Sequence, residues 1–157
     1  MKSLSRLLLI SLVCILAAAC QKAPPPPPPE PELVAPADAS DSNAWKKYVA
    51  MKAQRWLKAQ KKSGHIWATF LPQDGDTSEL LTTTQNNFDR GILAGTILVF
   101  GSPDSTKMAD FLQKAFEAVR EKSLAGVIVI FIGDPADKDR VQQACATSGV
   151  EYVFLPK

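Results

Sequence analysis

Two stretches of the sequence 32 positions apart, "ILVFGSPDST" (97–106) and "VIFIGDPADK" (129–138), follow one plan. Each is an unbroken apolar run, a glycine, a polar residue, a proline and the opening of a helical pattern. An apolar run without polar alternation suits a strand covered on both faces. Ser102 and Asp134 are expected to cap the helices that follow. Pro103 and Pro135 are expected to open them, where a missing N–H costs nothing. Two successive βα units joined by right-handed crossovers make the sheet parallel.

Four strands are read in all, in "HIWATFL" (65–71), "TILVFG" (96–101), "GVIVIFIG" (126–133) and "EYVFL" (151–155). Helices are read in "DSTKMADFLQKAFEAVREKS" (104–123) and "ADKDRVQQACATSG" (136–149), the first turning Phe111, Leu112, Ala115, Phe116 and Val119 inward. The stretch 72–95 is expected to hold either a short strand near Glu79–Thr84 with a helix from Gln85, or a long loop. The fold class is α/β: a small three-layer domain with a mostly parallel sheet of about four strands. A flavodoxin-like or doubly wound arrangement is preferred over a thioredoxin-like one, because no CxxC pair is present and no helix pattern follows the final strand.

Ahead of the sheet, "NAWKKYVAMKAQRWLKAQKK" (43–62) sets Trp45, Tyr48, Val49, Ala53, Trp56 and Leu57 at helical spacing, with Lys52 breaking the stripe. Asp41 or Ser42 caps its start, and Lys61 and Lys62 suit its negative end. The formal charge of +2 hides a strong asymmetry: residues 43–62 hold seven bases and no acid, whereas residues 63–157 hold eight bases and twelve acids. Lys46, Lys47, Lys52, Arg55 and Lys58 therefore form a candidate surface for an anionic membrane or an acidic partner. The competing reading is a helix that packs its aromatics on the sheet and leaves its lysines solvated.

The amino terminus carries Lys2 and Arg6, then an uncharged run from Leu7 to Ala19. About 13 residues cannot cross a bilayer as a helix, which needs roughly 20, and a basic start, a short apolar run and small residues are the marks of a cleaved export signal. Through Ala17-Ala18-Ala19-Cys20, with Leu16 ahead of it, the chain resembles bacterial lipoprotein precursors. That family usually has Leu three places before the Cys, where this chain has Ala17. The resemblance implies cleavage before Cys20, a thioether-linked diacylglycerol on its sulfur and acylation of its new amino group. Residues 1–19 are then the signal peptide. Gln21, where Asp would favour the inner membrane, implies the outer membrane with the domain in the periplasm.

Eight of the twelve prolines fall between Pro24 and Pro36. The lipidated Cys20 and this segment, residues 20–42, form a tether whose proline run as polyproline II reaches roughly 40 Å. The folded domain is expected over residues 43–157. Beyond the leader cysteines the chain has only Cys145, read as a small buried core residue.

Loops at the carboxyl ends of parallel strands are where ligands gather, so Ser102, Asp104, Asp134 and Asp137 are the candidate ligand or metal loop, with Ser105 beside them. Each also has a structural job as cap or first-turn acid. No phosphate-loop glycine pattern and no GxSxG elbow occur, and His65 is the only histidine. No catalytic residue, resident metal or cofactor is assigned. The leading expectation is an outer-membrane lipoprotein, anchored in the membrane through lipid. Its periplasmic domain would bind or scaffold envelope proteins, as in a secretion or conjugation apparatus. Nucleic acid is not an expected partner. The alternatives are a metal-assisted hydrolase and a small-ligand or cell-wall-binding lipoprotein using the loops at Ser102–Asp104 and Asp134–Asp137.

Overall fold

The computed structural model describes residues 31–157, of which 33–157 form one compact unit. The segment read as a signal peptide (1–19), Cys20 and residues 21–30 of the segment read as a tether (20–42) lie outside the described residues. Along the chain come α1 (Ser42–Ala59), β1 (His65–Phe70), α2 (Ser78–Arg90), β2 (Thr96–Gly101), α3 (Ser105–Phe116) and β3 (Ile128–Gly133). A 3-10 turn (Pro135–Asp137), α4 (Lys138–Cys145) and β4 (Glu151–Pro156) complete it.

The four strands form one parallel sheet in the order β1-β2-β3-β4, with Ile97 beside Ile128 and Val99 beside Ile130 in the two central strands. Period-two alternation sends the side chains of β2 and β3 into two separate cores. Ile97, Val99, Ile130 and Ile132 meet Trp45, Tyr48, Val49, Ala53 and Leu57 of α1. Leu98, Phe100, Val129 and Phe131 meet Phe88 of α2, Met108, Phe111 and Leu112 of α3, and Val141 and Cys145 of α4. Each fully buried side chain of this size contributes about 1.5–3 kcal/mol, so both faces of the sheet supply substantial driving force. The α/β, three-layer, parallel architecture is the expected one.

Its winding differs from the doubly wound arrangement. That arrangement needs a reversal in strand order and crossover helices on both faces. Here the order is sequential and α2, α3 and α4 share one face, while the other face is covered by α1, which precedes the first strand. Three local expectations are also corrected. Residues 79–84 are helical within α2, with no strand. α3 ends at Phe116 rather than at 123, and the chain turns through Lys122 (φ 55°), where Lys122 and Leu124 donate backbone hydrogen bonds to Thr147 and Ser148. α1 ends at Ala59, so Lys61 (φ 52°) and Lys62 lie past its end. Lys62 instead pairs with Glu151 of β4 and sits 5.7 Å from the Trp56 ring centroid.

The glycine shared by the two repeated units is set by close approach, with different neighbours in each unit. A Cβ on Gly101 would lie 2.5 Å from Val49 Cγ2 on α1. A Cβ on Gly133 would lie 2.3 Å from the Phe131 ring and 2.6 Å from Ser105 Oγ. The first lets α1 settle on the sheet, and the second lets the two repeated loops touch.

Candidate interaction site

At the carboxyl ends of β2 and β3 the repeated loops are joined by Ser105, only 2% exposed, whose Oγ accepts a hydrogen bond from the Asp134 backbone N–H at 2.7 Å. Ser102 does not cap α3. Its Oγ accepts from Asp104 N at 3.1 Å, and the cap is Asp104, whose carboxylate accepts from Lys107 N at 2.9 Å. Pro103 accordingly lies ahead of the helix rather than at its first position. Pro135 does open a helical turn, the 3-10 segment, but Asp134 makes no capping side-chain bond and its carboxylate faces Lys157 Nζ at 2.9 Å. Lys157 Nζ also donates to Pro103 O at 2.9 Å.

Asp137 is buried and accepts from Arg140, whose guanidinium also reaches Asp110 and the Thr106 carbonyl. Lys107 donates to three carbonyls of the preceding loop, those of Pro72, Gln73 and Gly75, each at 3.1 Å. Asp76 accepts from both the N–H and the hydroxyl of Ser78, which holds its carboxyl below the usual carboxylate range. A hollow of about 330 Å³ lies between α2 and α3 beside these groups, lined by Thr77, Leu81, Asp104, Lys107, Asp110 and Lys114. The structure thus brings Ser102, Asp104, Asp134 and Asp137 to one end of the sheet, each carboxylate tied to a cation or a backbone N–H. Among the described residues no group of three or more His, Cys, Asp or Glu could hold a metal ion. Cys145 is buried in the α4 core, where desolvation pushes its thiol up to about 12.

Of the two readings of the basic helix, the structure bears out the packing of its aromatic stripe on the sheet. Trp45, Tyr48, Val49, Ala53 and Leu57 are buried, and Trp45 Nε1 donates to Asp38 O at 3.0 Å. Lys52 donates to Tyr48 Oη at 2.8 Å, and Lys46 Nζ lies 5.7 Å from the Phe70 ring centroid. Lys47 and Lys58 are exposed and Arg55 is half-buried. No described helix is long and apolar enough to cross a membrane.

Residues absent from the sequence-based site stand out on β1. This edge strand exposes His65, Ile66, Trp67 and Ala68, with Ile66 at 42% and Trp67 at 41%. Of the five large hydrophobic residues exposed among the described ones, four lie on β1 or in the segments beside it: Ile66, Trp67, Leu80 and Leu93, the last at 84%. Two apolar hollows flank the strand. One of about 430 Å³ lies against Lys46, Val49, Phe70 and Leu80, and one of about 500 Å³ lies against His65, Trp67, Ile92 and Leu93. The opposite edge is finished differently: β4 begins at Glu151, ends at Pro156, and keeps its four middle residues half-buried. The signal for β1 was present in "HIWATF", an edge strand with no charge and no proline, yet apolar content alone does not tell an edge from a centre. Set against protein-family models, curated proteins and solved structures, the chain gives no match.

Proposed function

We propose that the chain is a lipid-anchored envelope protein whose α/β domain is a protein-binding or scaffold module. In this reading Cys20 carries the lipid at the outer membrane. The proline-rich segment holds the domain away from the bilayer in the periplasm, within a larger assembly of the secretion or conjugation kind. The observation that carries the binding role is the contrast between the two places a ligand could use. At the carboxyl ends of the strands the charged side chains are spent on the protein's own caps, loops and ion pairs. Around β1 the protein leaves apolar surface in water, which supports the reading of an interaction site there.

The test is affinity recovery from crosslinked cells of the lipidated protein and of a Cys20→Ala form. A defined set of envelope proteins recovered only with the lipidated form is the expected result. Recovery of the chain alone, with membrane attachment intact, would remove the scaffold role.

A further inference from the structure

We infer that the outer edge of β1 is a strand-addition site for an extended, acidic segment of a partner protein. The inference rests on the binding role proposed above and names the surface and the chemistry of the partner.

β1 is six residues long and, among the described residues, pairs on one side only, with β2, so that its other row of backbone groups faces no described strand. An added strand gains its affinity from such main-chain groups and its selectivity from pockets that receive alternate side chains. Both features are present on this edge. The hollow at Phe70, Val49 and Leu80 lies toward the end of β1, and the hollow at His65, Trp67 and Leu93 toward its start. A strand rises about 3.3 Å per residue, so hollows roughly three residues apart are spanned by a single extended segment. Protective devices are missing: no charged residue and no proline lies in His65–Phe70.

Three occupants are possible, and two are disfavoured by features of the chain itself. The proline-rich segment cannot pair as a strand, because its eight prolines between 24 and 36 lack N–H groups. A second copy, paired antiparallel about a two-fold axis at β1, would set two α1 helices side by side on one face of the joined sheet. α1 packs on β1 and β2, and the segment 43–62 carries seven bases and no acid. Like-charge helices in such contact oppose the pairing. The same basic helix, with Lys46 at the rim of the hollow by Phe70, favours a segment that brings carboxylates.

The experiment displays a random twelve-residue peptide library against the full-length chain in detergent, with sedimentation of the chain alone beside it. The expected selection has two apolar residues an odd number of positions apart, one for each hollow, an excess of Asp and Glu, and at least tenfold weaker binding to Ile66→Lys and Trp67→Lys. Methylating alternate backbone nitrogens on one edge of a selected peptide should abolish its binding to the unaltered protein, a readout that needs no variant to fold. Selected peptides with helical spacing, without acids, or unaffected by methylation would overturn the inference. So would an empty selection, or a dimer whose β1 amides are already protected from exchange. If Trp67→Lys recovers the same envelope proteins from crosslinked cells as the unaltered chain, the scaffold role stands and the β1 edge is not its site.

Discussion

Substituting Ala for Gly101 probes how α1 is seated on the sheet. The added methyl would lie 2.5 Å from Val49 Cγ2 and 3.1 Å from Cγ1, whereas carbon atoms in good contact are about 3.5–4.0 Å apart. Val49 is buried and its branched side chain has one strongly preferred rotamer on a helix, so relief requires α1 to move by about 1 Å. Overpacking of this kind costs about 1–3 kcal/mol. Val49→Ala alone deletes two buried methyl groups and costs about 1–3 kcal/mol through lost transfer energy and a cavity. In the double variant the new methyl enters the space that Val49 vacates, so its cost should fall short of the sum by at least about 1 kcal/mol. Urea unfolding of the four proteins, followed by circular dichroism, measures this coupling. Thermal midpoints should move about 3–6 °C per kcal/mol for a domain of this size. A neutral Gly101→Ala, or strict additivity, would refute the contact between α1 and β2.

Other consequences follow from single groups. Ser105→Ala leaves the Asp134 N–H without its hydroxyl partner and should cost about 1–2 kcal/mol in urea unfolding, whereas Thr83→Ala, on the exposed side of α2, should stay within about 0.5 kcal/mol. Lys107→Met should raise hydrogen exchange at residues 72–77 with little change in global stability, since its three carbonyl contacts are exposed to solvent. Cys145 should resist thiol reagents in the folded protein and react on unfolding. Its folded pKa of about 12 exceeds the ordinary value of 9.0, so stability should hold below pH 9 and fall above it as the unfolded thiol ionises. Tyr152, also shifted up by burial, adds to the loss above pH 10, and Cys145→Ala should remove the part that begins near pH 9.

The central strands were legible because "TILVFG" and "IVIFIG" are short, rich in β-branched and aromatic residues, and each closed by a glycine and a nearby proline, and β2 spans the residues its apolar run marks. α2 was hidden because its inward apolar face is thin: in "SELLTTTQNNFDR" the apolar residues packed in the core are Leu81 and Phe88, and Thr84 is tolerated beside them by donating to Leu80 O. The early end of α3 was invisible for a different reason. Residues 117–123 read as good helix, and the chain leaves it to make long-range backbone bonds with the segment after α4. The βα plan dictates that the two loops share one end of the sheet, but the sequence does not show that Lys157 and Arg140 engage Asp134 and Asp137, or that Lys107 ties down the carbonyls of 72–75. Strand order decided the rest. A reversal would have buried β1 in the middle; the sequential order puts it at an edge with Ile66 and Trp67 in water.

The most direct test of the account places a photo-crosslinking residue at Ala68 on the β1 edge, or at Asp139 on the exposed side of α4, in the full-length protein inside cells. The account predicts crosslinks to another envelope protein from position 68 and none from position 139. Equal crosslinking from both positions, or products from position 68 that join only two copies of this chain, would contradict it.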